Sequence, residues 1–336
     1  MLEINLGPVQ QLEDLVVFPL VSPEKVELPY ETLSDAVMAG IIDVSEIEQG
    51  VVSALHVCCR GARNVLALDG EQFVGVKQNR TTSRTVLLSA EGDTMIPVSC
   101  MEQGRWSSHG RHFRVTPDHS PTRVRRQSRE AERDVVSAGR SPSPDALTAA
   151  QATVWGEIDA LSESLGAPSA TGALDEAYAA RRADFAYWSP AFPVMTGQVG
   201  LLVITAKGPL GLDVVGSQVM YKKLHAGILN GYLMDGLGQG AVGRGLDSYA
   251  PPYRFTDPQK AAMNEPRGHQ HAARRFLRHI TKADRTEAPT VGLGSYSVLT
   301  GAVVGGELVH EQMLVHVSAF PAPKGSQHHG ARGGKR

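Results

Sequence analysis

The order of strand-like and helix-like stretches is the feature that most constrains how this chain can fold. Short apolar runs bounded by Gly, Pro and Asp fill residues 1–104, which predicts a β-rich first part. Two stretches with helical spacing of apolar residues follow within 145–187, and strand and helix patterns are mixed after that. Because strands and helices are segregated rather than strictly alternating, we predict an α+β fold of mostly antiparallel β sheet with several packed helices.

Turn signals predict how neighbouring strands pair. Asp69-Gly70 favours a two-residue hairpin turn, with residues 71–78 as the returning strand. A second hairpin is predicted around residues 91–93, and a third around the two glycines at 305–306. The polar residues near the first two turns would then lie at strand ends, where loops carry function on a rigid scaffold.

We expect one domain over residues 6–320. It divides into a β-rich part at 1–104, an Arg-rich linker at 105–144 and an α+β part at 145–320. A basic, Gly-rich tail at 321–336 is predicted to be disordered.

The predicted linker is rich in arginine. Nine arginines, no lysine and only four acidic residues lie between Arg105 and Arg140. Residues 121–136 match the length of a basic helix, and two interpretations of the segment remain open. It is either a solvated connector or a phosphate-binding arm, because guanidinium groups suit phosphate geometry. Aromatic residues are sparse here, so nucleic acid is not expected as a partner.

Composition argues against several classes of protein. The formal net charge of −2 predicts neither nucleic-acid nor membrane binding. No apolar run approaches the length of a membrane span, and the first residues lack the pattern of a signal peptide. The cysteines Cys58, Cys59 and Cys100 include no CxxC pair, so a cysteine zinc site is not expected. Their odd, low count indicates a reducing cytoplasm.

Two dense polar runs follow strand-like stretches and indicate a functional site. The first spans residues 69–80 and the second spans 97–106. A purely structural β domain rarely needs such a mixture, because buried polar groups must be paired. The predicted catalytic residues are Cys100, Glu102 and Glu71. The predicted substrate-binding residues are Lys77, Gln78, Asn79, Arg80, Gln103, Arg105 and Trp106.

Cys100 is the strongest candidate for a reactive side chain. It follows a strand, and the nearby Arg105 would lower the pKa of its thiol, whose thiolate form is the nucleophile. Glu102 or Glu71 would be the acid–base group. The alternative is that Cys100 is a small buried hydrophobe, as free cysteine usually is.

The tetrad Cys100-Met101-Glu102-Gln103 also resembles the internal thioesters of complement and macroglobulin proteins. In those proteins a cysteine thiol condenses with the glutamine amide three residues later. The resemblance covers four residues, and Met101 stands where those proteins have glycine. It implies a thioester between Cys100 and Gln103 as a further alternative.

No metal site is predicted, and the cofactor is unknown. His310 and His316 share a strand face, but the neighbouring Glu311 points the other way. The glycine pairs within 238–240 and 292–294 complete neither a dinucleotide fingerprint nor a phosphate loop.

The polar runs resemble a bacterial family, the ARG and rhodanese-phosphatase-superfamily-associated protein domain. The resemblance extends from about residue 6 to residue 320. The matching segments are Leu68-Asp69-Gly70-Glu71, Gly75-Val76-Lys77-Gln78-Asn79-Arg80 and Pro97-Val98-Ser99-Cys100-Met101-Glu102-Gln103-Gly104-Arg105-Trp106, with short matches at 172–174, 197–200 and 211–213. The resemblance implies association with ATP-grasp, phosphatase and rhodanese-like proteins in modification or conflict systems, and it implies no substrate.

Three hypotheses of function follow from these residues. The first is a Cys-dependent enzyme acting on an anionic, phosphate- or nucleotide-like substrate or on a protein. The second is a non-catalytic module that binds a nucleotide-like or phosphorylated ligand. The third is a structural domain in which the polar runs form a hydrogen-bonded network that fixes the fold.

Overall fold

The computed structural model describes residues 2–47, 53–105, 109–139, 144–167, 169–240, 242 and 267–323. It confirms the predicted α+β fold, with mostly antiparallel sheets and a β-rich N-terminal half. No helix within the described ranges is long and apolar enough to cross a membrane.

In chain order, the strands are β1 (Asn5–Leu6), β2 (Gln10–Leu12), β3 (Leu15–Val21), β4 (Glu31–Thr32), β5 (Ile42–Glu46), β6 (Ala54–Arg60), β7 (Val65–Ala67), β8 (Glu71–Val76), β9 (Arg80–Thr82), β10 (Val86–Leu88), β11 (Glu91–Cys100), β12 (His109–His119), β13 (Gln198–Thr205), β14 (Gly208–Val215), β15 (Asp284–Ala288), β16 (Ser295–Thr300), β17 (Val303–His310) and β18 (Met313–Pro321). The helices are α1 (Leu33–Met38), α2 (Thr122–Ser137), α3 (Pro144–Leu165), α4 (Leu174–Ala180), α5 (Arg182–Trp188), α6 (Gln218–Gly238) and α7 (Arg267–Thr281).

The strands form three sheets. A large sheet has the order β1-β3-β13-β14-β18-β17-β16-β15, with β2 also paired to β3. A six-stranded sheet has the order β12-β8-β9-β11-β6-β5, and a small sheet has the order β10-β7-β4. One apolar core joins the large sheet to helices α3 to α6, a second lies under α7, and a third fills the N-terminal sheets. All eight residues of β13 are buried, because both faces of the large sheet are covered.

The predicted pairing of β7 with β8 is wrong. Asp69-Gly70 does form a turn, but β7 pairs with β10 and β4, whereas β8 pairs with β12 and β9. The second predicted hairpin fails in the same way, because β10 and β11 belong to different sheets. Asp69 therefore does not lie in a surface hairpin. It lies where the chain passes from the small sheet to the six-stranded sheet.

The two glycines at 305–306 do not form the predicted turn either. They lie inside β17, and the turn to β18 is at Glu311 and Gln312, which both have positive φ. A Cβ at Gly306 would lie only 1.9 Å from the hydroxyl oxygen of Tyr296. The glycine is therefore required for close packing of a side chain against the strand.

The interpretation of residues 105–144 as a linker needs correction. The structure places β12 and α2 in this segment, and α2 packs against α3, α6 and strands β16 and β17 of the large sheet. The predicted basic helix over 121–136 thus exists, but Arg125 and Arg129 on it are buried rather than solvated. Burial of an arginine requires a charged or hydrogen-bonding partner, and the partners of α2 define the polar centre of the molecule.

Candidate functional site

Arg125 joins the two halves of the chain through a buried pair of carboxylates. Its Nη2 lies 3.0 Å from Asp69 Oδ1 and 2.5 Å from Asp213 Oδ1. Its Nε and Nη1 bond the second oxygen of Asp69 at 3.2 Å and of Asp213 at 3.0 Å. Each carboxylate is thus held by two nitrogens, an arrangement stronger than a single charge pair.

Further side chains complete this charge centre, which we define as Asp69, Arg125, Asp213 and His316. His316 on β18 places Nε2 3.1 Å from Asp213 Oδ1. Thr85 Oγ1 lies 2.8 Å from the other ring nitrogen of His316. Tyr232 on α6 donates to Asp213 at 2.7 Å, so the centre connects both N-terminal sheets, α2, α6 and the large sheet.

The protonation of the two carboxylates follows from these contacts. Burial alone would raise the pKa of Asp69, but the charge of Arg125 outweighs it and holds the pKa well below its usual range. The pKa of Asp213 is likewise lowered, because Arg125 and the hydrogen bond from His316 overcome its burial. Both groups are therefore ionised at neutral pH.

The same residue types could hold a divalent cation. Asp69, Asp213 and His316 each offer a ligand atom, and these atoms lie within 4.8 Å of one another. The guanidinium group of Arg125, however, already bonds all four carboxylate oxygens. One cationic group lies where an ion would bridge the carboxylates, so this geometry fits a permanent ionic network better than a metal centre.

Two neutral titratable groups border the charge centre. Burial raises the pKa of Glu71 to about 8, although the backbone N–H of Leu68 donates to its Oε2 at 2.7 Å. Burial, assisted by Arg125, lowers the pKa of His119 to about 3. Glu71 was a predicted acid–base residue, and its pKa suits that role, but the side chain is only 3% exposed.

The two polar runs do meet, at a second and smaller network. Arg105 lies 2.7 Å from Glu102 Oε2, and the backbone N–H of Asn79 donates to the same oxygen at 3.2 Å. Asn79 Nδ2 also donates to Asp175 at 2.7 Å. Burial alone would raise the pKa of Glu102, but hydrogen bonds led by that of Arg105 lower it instead. Each of these groups is engaged with a protein partner.

Cys100 lies apart from this network. Its side chain is fully buried, and burial raises the pKa of the thiol to about 11 against the opposing charge of Arg80. The expectation that Arg105 lowers this pKa is wrong, because Arg105 bonds Glu102 instead. A thiol with a raised pKa carries little thiolate at neutral pH, so the geometry disfavours Cys100 as nucleophile.

The remaining predicted site residues are divided between buried and accessible positions. Arg80 is fully buried, and it donates to Gln78 at 2.9 Å and lies 3.4 Å from Glu46. Lys77 is half-buried, and Trp106 lies outside the described residues. Gln103 is exposed whereas Cys100 is fully buried, and this difference gives the proposed thioester no support.

A basic cavity of about 320 Å³ opens at the first turn of α2. Arg123, Arg126 and Lys207 line it together with Thr122, Glu157, Thr205, Gly208, Pro209, Leu210, Asp235, Gln239 and Pro321. Asp235 accepts from the backbone N–H of Thr122 at 2.5 Å and lies 2.7 Å from Arg123 Nε, so it caps α2 from inside the cavity wall.

The cavity was not predicted from the sequence. Arg123 and Arg126 belong to the arginine-rich segment, but Lys207 comes from the β13–β14 turn, about eighty residues later. Only the fold brings these cations together. The only sequence feature that pointed toward the cavity was the arginine-rich segment, which we interpreted as a possible phosphate-binding arm. The sequence could not indicate which of its arginines face solvent.

Comparison with known proteins shows the family of this chain. The family model described as ARG and Rhodanese-Phosphatase-superfamily-associated Protein domain matches residues 3–320. No curated protein and no solved structure matches the chain.

Proposed function

Because the chain belongs to the ARG and Rhodanese-Phosphatase-superfamily-associated Protein domain family, whose name records an association rather than a reaction, we propose a function from geometry. The chain is a binding module for a small phosphorylated ligand, which occupies the basic cavity at the start of α2. The observation that supports this most directly is the convergence of Arg123, Arg126 and Lys207 on one cavity.

The charges of the cavity favour an anion. Three cationic side chains face two carboxylates, those of Asp235 and Glu157. Asp235 is already engaged by the N-terminus of α2 and by Arg123. Glu157 accepts a hydrogen bond from Gln127 at 3.2 Å. Arg123 Nε lies 2.7 Å from Asp235 and Arg126 Nε lies 3.1 Å from Glu130. A phosphate group would therefore bind through Lys207 and the remaining guanidinium nitrogens, whose geometry matches its oxygens.

The rest of the cavity suits an organic moiety. Pro209, Leu210 and Pro321 supply an apolar wall, while Thr205 and Gln239 supply polar groups. A volume of about 320 Å³ lies at the small end of the usual range for ligand sites. These features favour a compact phosphorylated molecule, such as a mononucleotide, over a bare inorganic ion or a large dinucleotide.

A Cys-dependent enzyme is the weaker candidate. It would need an accessible thiolate, and Cys100 is buried with a raised thiol pKa. The three cysteines are unpaired, which agrees with the predicted cytoplasmic location. The association with modification or conflict systems remains a prediction. Binding of a nucleotide-like ligand would be consistent with it.

Isothermal titration calorimetry with adenosine monophosphate and with inorganic pyrophosphate tests the proposal. We expect saturable binding of both probes to the wild-type protein, with tighter binding of adenosine monophosphate than of pyrophosphate. Both should bind at least tenfold more weakly to the double variant Arg126→Gln/Lys207→Gln. Each lost charge-assisted hydrogen bond is worth about 1.5 to 3 kcal/mol, and about 1.4 kcal/mol corresponds to tenfold in affinity.

Lys223→Gln is the matched control. This lysine lies on α6 and is half exposed, and it pairs with Asp35 at 2.8 Å rather than lining the cavity. It should bind both probes as the wild type does. Absence of binding by the wild type, or equal loss in both variants, would contradict the assignment of the cavity.

A further inference from the structure

Helix α7 carries a one-sided row of positive charge. Arg274, Arg275 and Arg278 are exposed on the helix, and Lys282 is exposed just after it. Their spacings of one, three and four residues place them on one face, about 12 Å long from first to last. We call these four residues the cation stripe.

Helix α7, which carries the three arginines of the stripe, contains no acidic residue. Residues 267–283 contain no Asp or Glu, although the whole chain has a net charge of −2. Among the described residues, no ion pair involves Arg274, Arg275 or Arg278, whereas the nearby Arg285 is paired with Glu307 at 3.0 Å. Positive charge is thus concentrated on this helix, and the low net charge of the chain conceals it.

The opposite face of α7 is already used. Ala273, Phe276 and Ile280 are buried in the core that covers one face of the large sheet. A basic amphipathic helix that inserts into a membrane must offer its apolar face to lipid. Since this face packs against β13 and β14, only the charged face remains for a partner.

The chemistry of the stripe selects a partner. Arginine predominates over lysine, and guanidinium groups pair with phosphate oxygens in a fixed planar geometry. The phenylalanine of α7, Phe276, is buried, so the described helix offers no phenyl or indole platform for stacking on bases. We propose that the cation stripe binds the phosphate backbone of a nucleic-acid duplex without reading its sequence.

This surface is independent of the basic cavity. Helix α7 covers one face of the large sheet, while α2 and α6 with the cavity lie on the other face. The expectation of little nucleic-acid binding was based on net charge and on the arginine-rich segment at 105–144. Arg125 and Arg129 of that segment pair inside the protein, whereas the arginines of the stripe on α7 face solvent.

Fluorescence anisotropy with a labelled duplex of roughly 20 base pairs tests the proposal. Four phosphate contacts predict a slope of about −3 to −4 for log affinity against log salt, or about 100-fold weaker binding from 50 to 200 mM salt. The triple variant Arg274→Gln/Arg275→Gln/Arg278→Gln should keep a slope of only about −1 and bind at least tenfold more weakly at low salt.

The matched control is Lys25→Gln/Arg60→Gln/Arg63→Gln, which removes the same charge from exposed positions far from α7 in the sequence. It should retain the wild-type slope. Equal weakening of both triple variants, or no duplex binding by the wild type at low salt, would overturn the proposal. Tighter binding to vesicles of anionic phospholipid than to the duplex would also overturn it, by assigning the stripe to a membrane surface.

Discussion

Replacing Glu71 by Gln should stabilise the protein at neutral pH. Glu71 is 3% exposed and its pKa is raised by burial from 4.5 to about 8. The folded protein therefore keeps a proton on this carboxyl up to about pH 8, whereas the unfolded chain releases it near pH 4.5. Since the unfolded state binds fewer protons in this window, stability falls as pH rises through it.

The magnitude follows from the width of the window. Each pH unit between 4.5 and 8 costs the wild type about 1.4 kcal/mol of unfolding free energy. The cost reaches about 3 kcal/mol at pH 7 and about 5 kcal/mol above pH 8. Glutamine has the shape of the neutral acid, and its carbonyl can accept the bond from the Leu68 backbone N–H without losing a proton.

Urea unfolding of both proteins at several pH values from 5 to 8.5 measures the difference. We expect the Glu71→Gln variant to gain steadily on the wild type as pH rises, with the gain levelling above pH 8. His119 is present in both proteins. Its lowered pKa costs each of them the same stability as pH falls below 6.5, so it does not affect the difference between them. Glu91→Gln, at an exposed position on β11, is the control and should change little. Parallel stability profiles for wild type and Glu71→Gln would refute this account of the buried carboxyl.

Three further predictions concern the thiols, the charge centre and the packing of α6. Iodoacetamide at neutral pH should label half-buried Cys58 in the native protein, whereas Cys100 should be labelled only after unfolding, as measured by mass spectrometry. Rapid labelling of Cys100 in the native protein would support the enzyme hypothesis instead. Arg125→Met should lose about 3 to 5 kcal/mol in urea unfolding, because both carboxylates stay buried without their cation, and a loss below 1 kcal/mol would contradict the network. Gly227→Ala should cost at least about 1 to 3 kcal/mol, since its Cβ would lie 2.4 Å from the Pro117 carbonyl oxygen. The matched Gly156→Ala in α3 meets no atom within 4 Å and should raise the melting temperature slightly; similar effects of the two changes would contradict the close contact.

Local sequence patterns predicted the elements better than their partners. The strand at residues 71–78, the basic helix over 121–136 and the helical stretches within 145–187 follow from local patterns, and the structure confirms them as β8, α2 and helices α3 to α5. The pairing of β7 and β8 failed because a turn signal such as Asp69-Gly70 acts over four residues. Whether two strands share a sheet is decided by contacts distant in sequence, here those of β7 with β10 and β4.

The candidate site was predicted only in part, for a related reason. The contact between Asn79, Glu102 and Arg105 could be predicted from the sequence, because both polar runs lie at the ends of strands in one sheet. The partners of Arg125 are 56 and 88 residues away, so its burial left no local sign. Composition suggested an open, basic connector because arginine is usually exposed.

One signal in the sequence does point to the charge centre once the fold is known. Arg125, Arg129 and Glu132 recur at the spacing of one helix face, a pattern that normally marks a core when the residues are apolar. Asp213 is the one titratable residue of β14, and His316 is the one titratable residue of β18. A buried charge in an apolar strand requires an opposite charge from another element, and a helical row of arginines supplies one. Because each partner alone would be costly to bury, the pair fixes how α2 is placed against the large sheet.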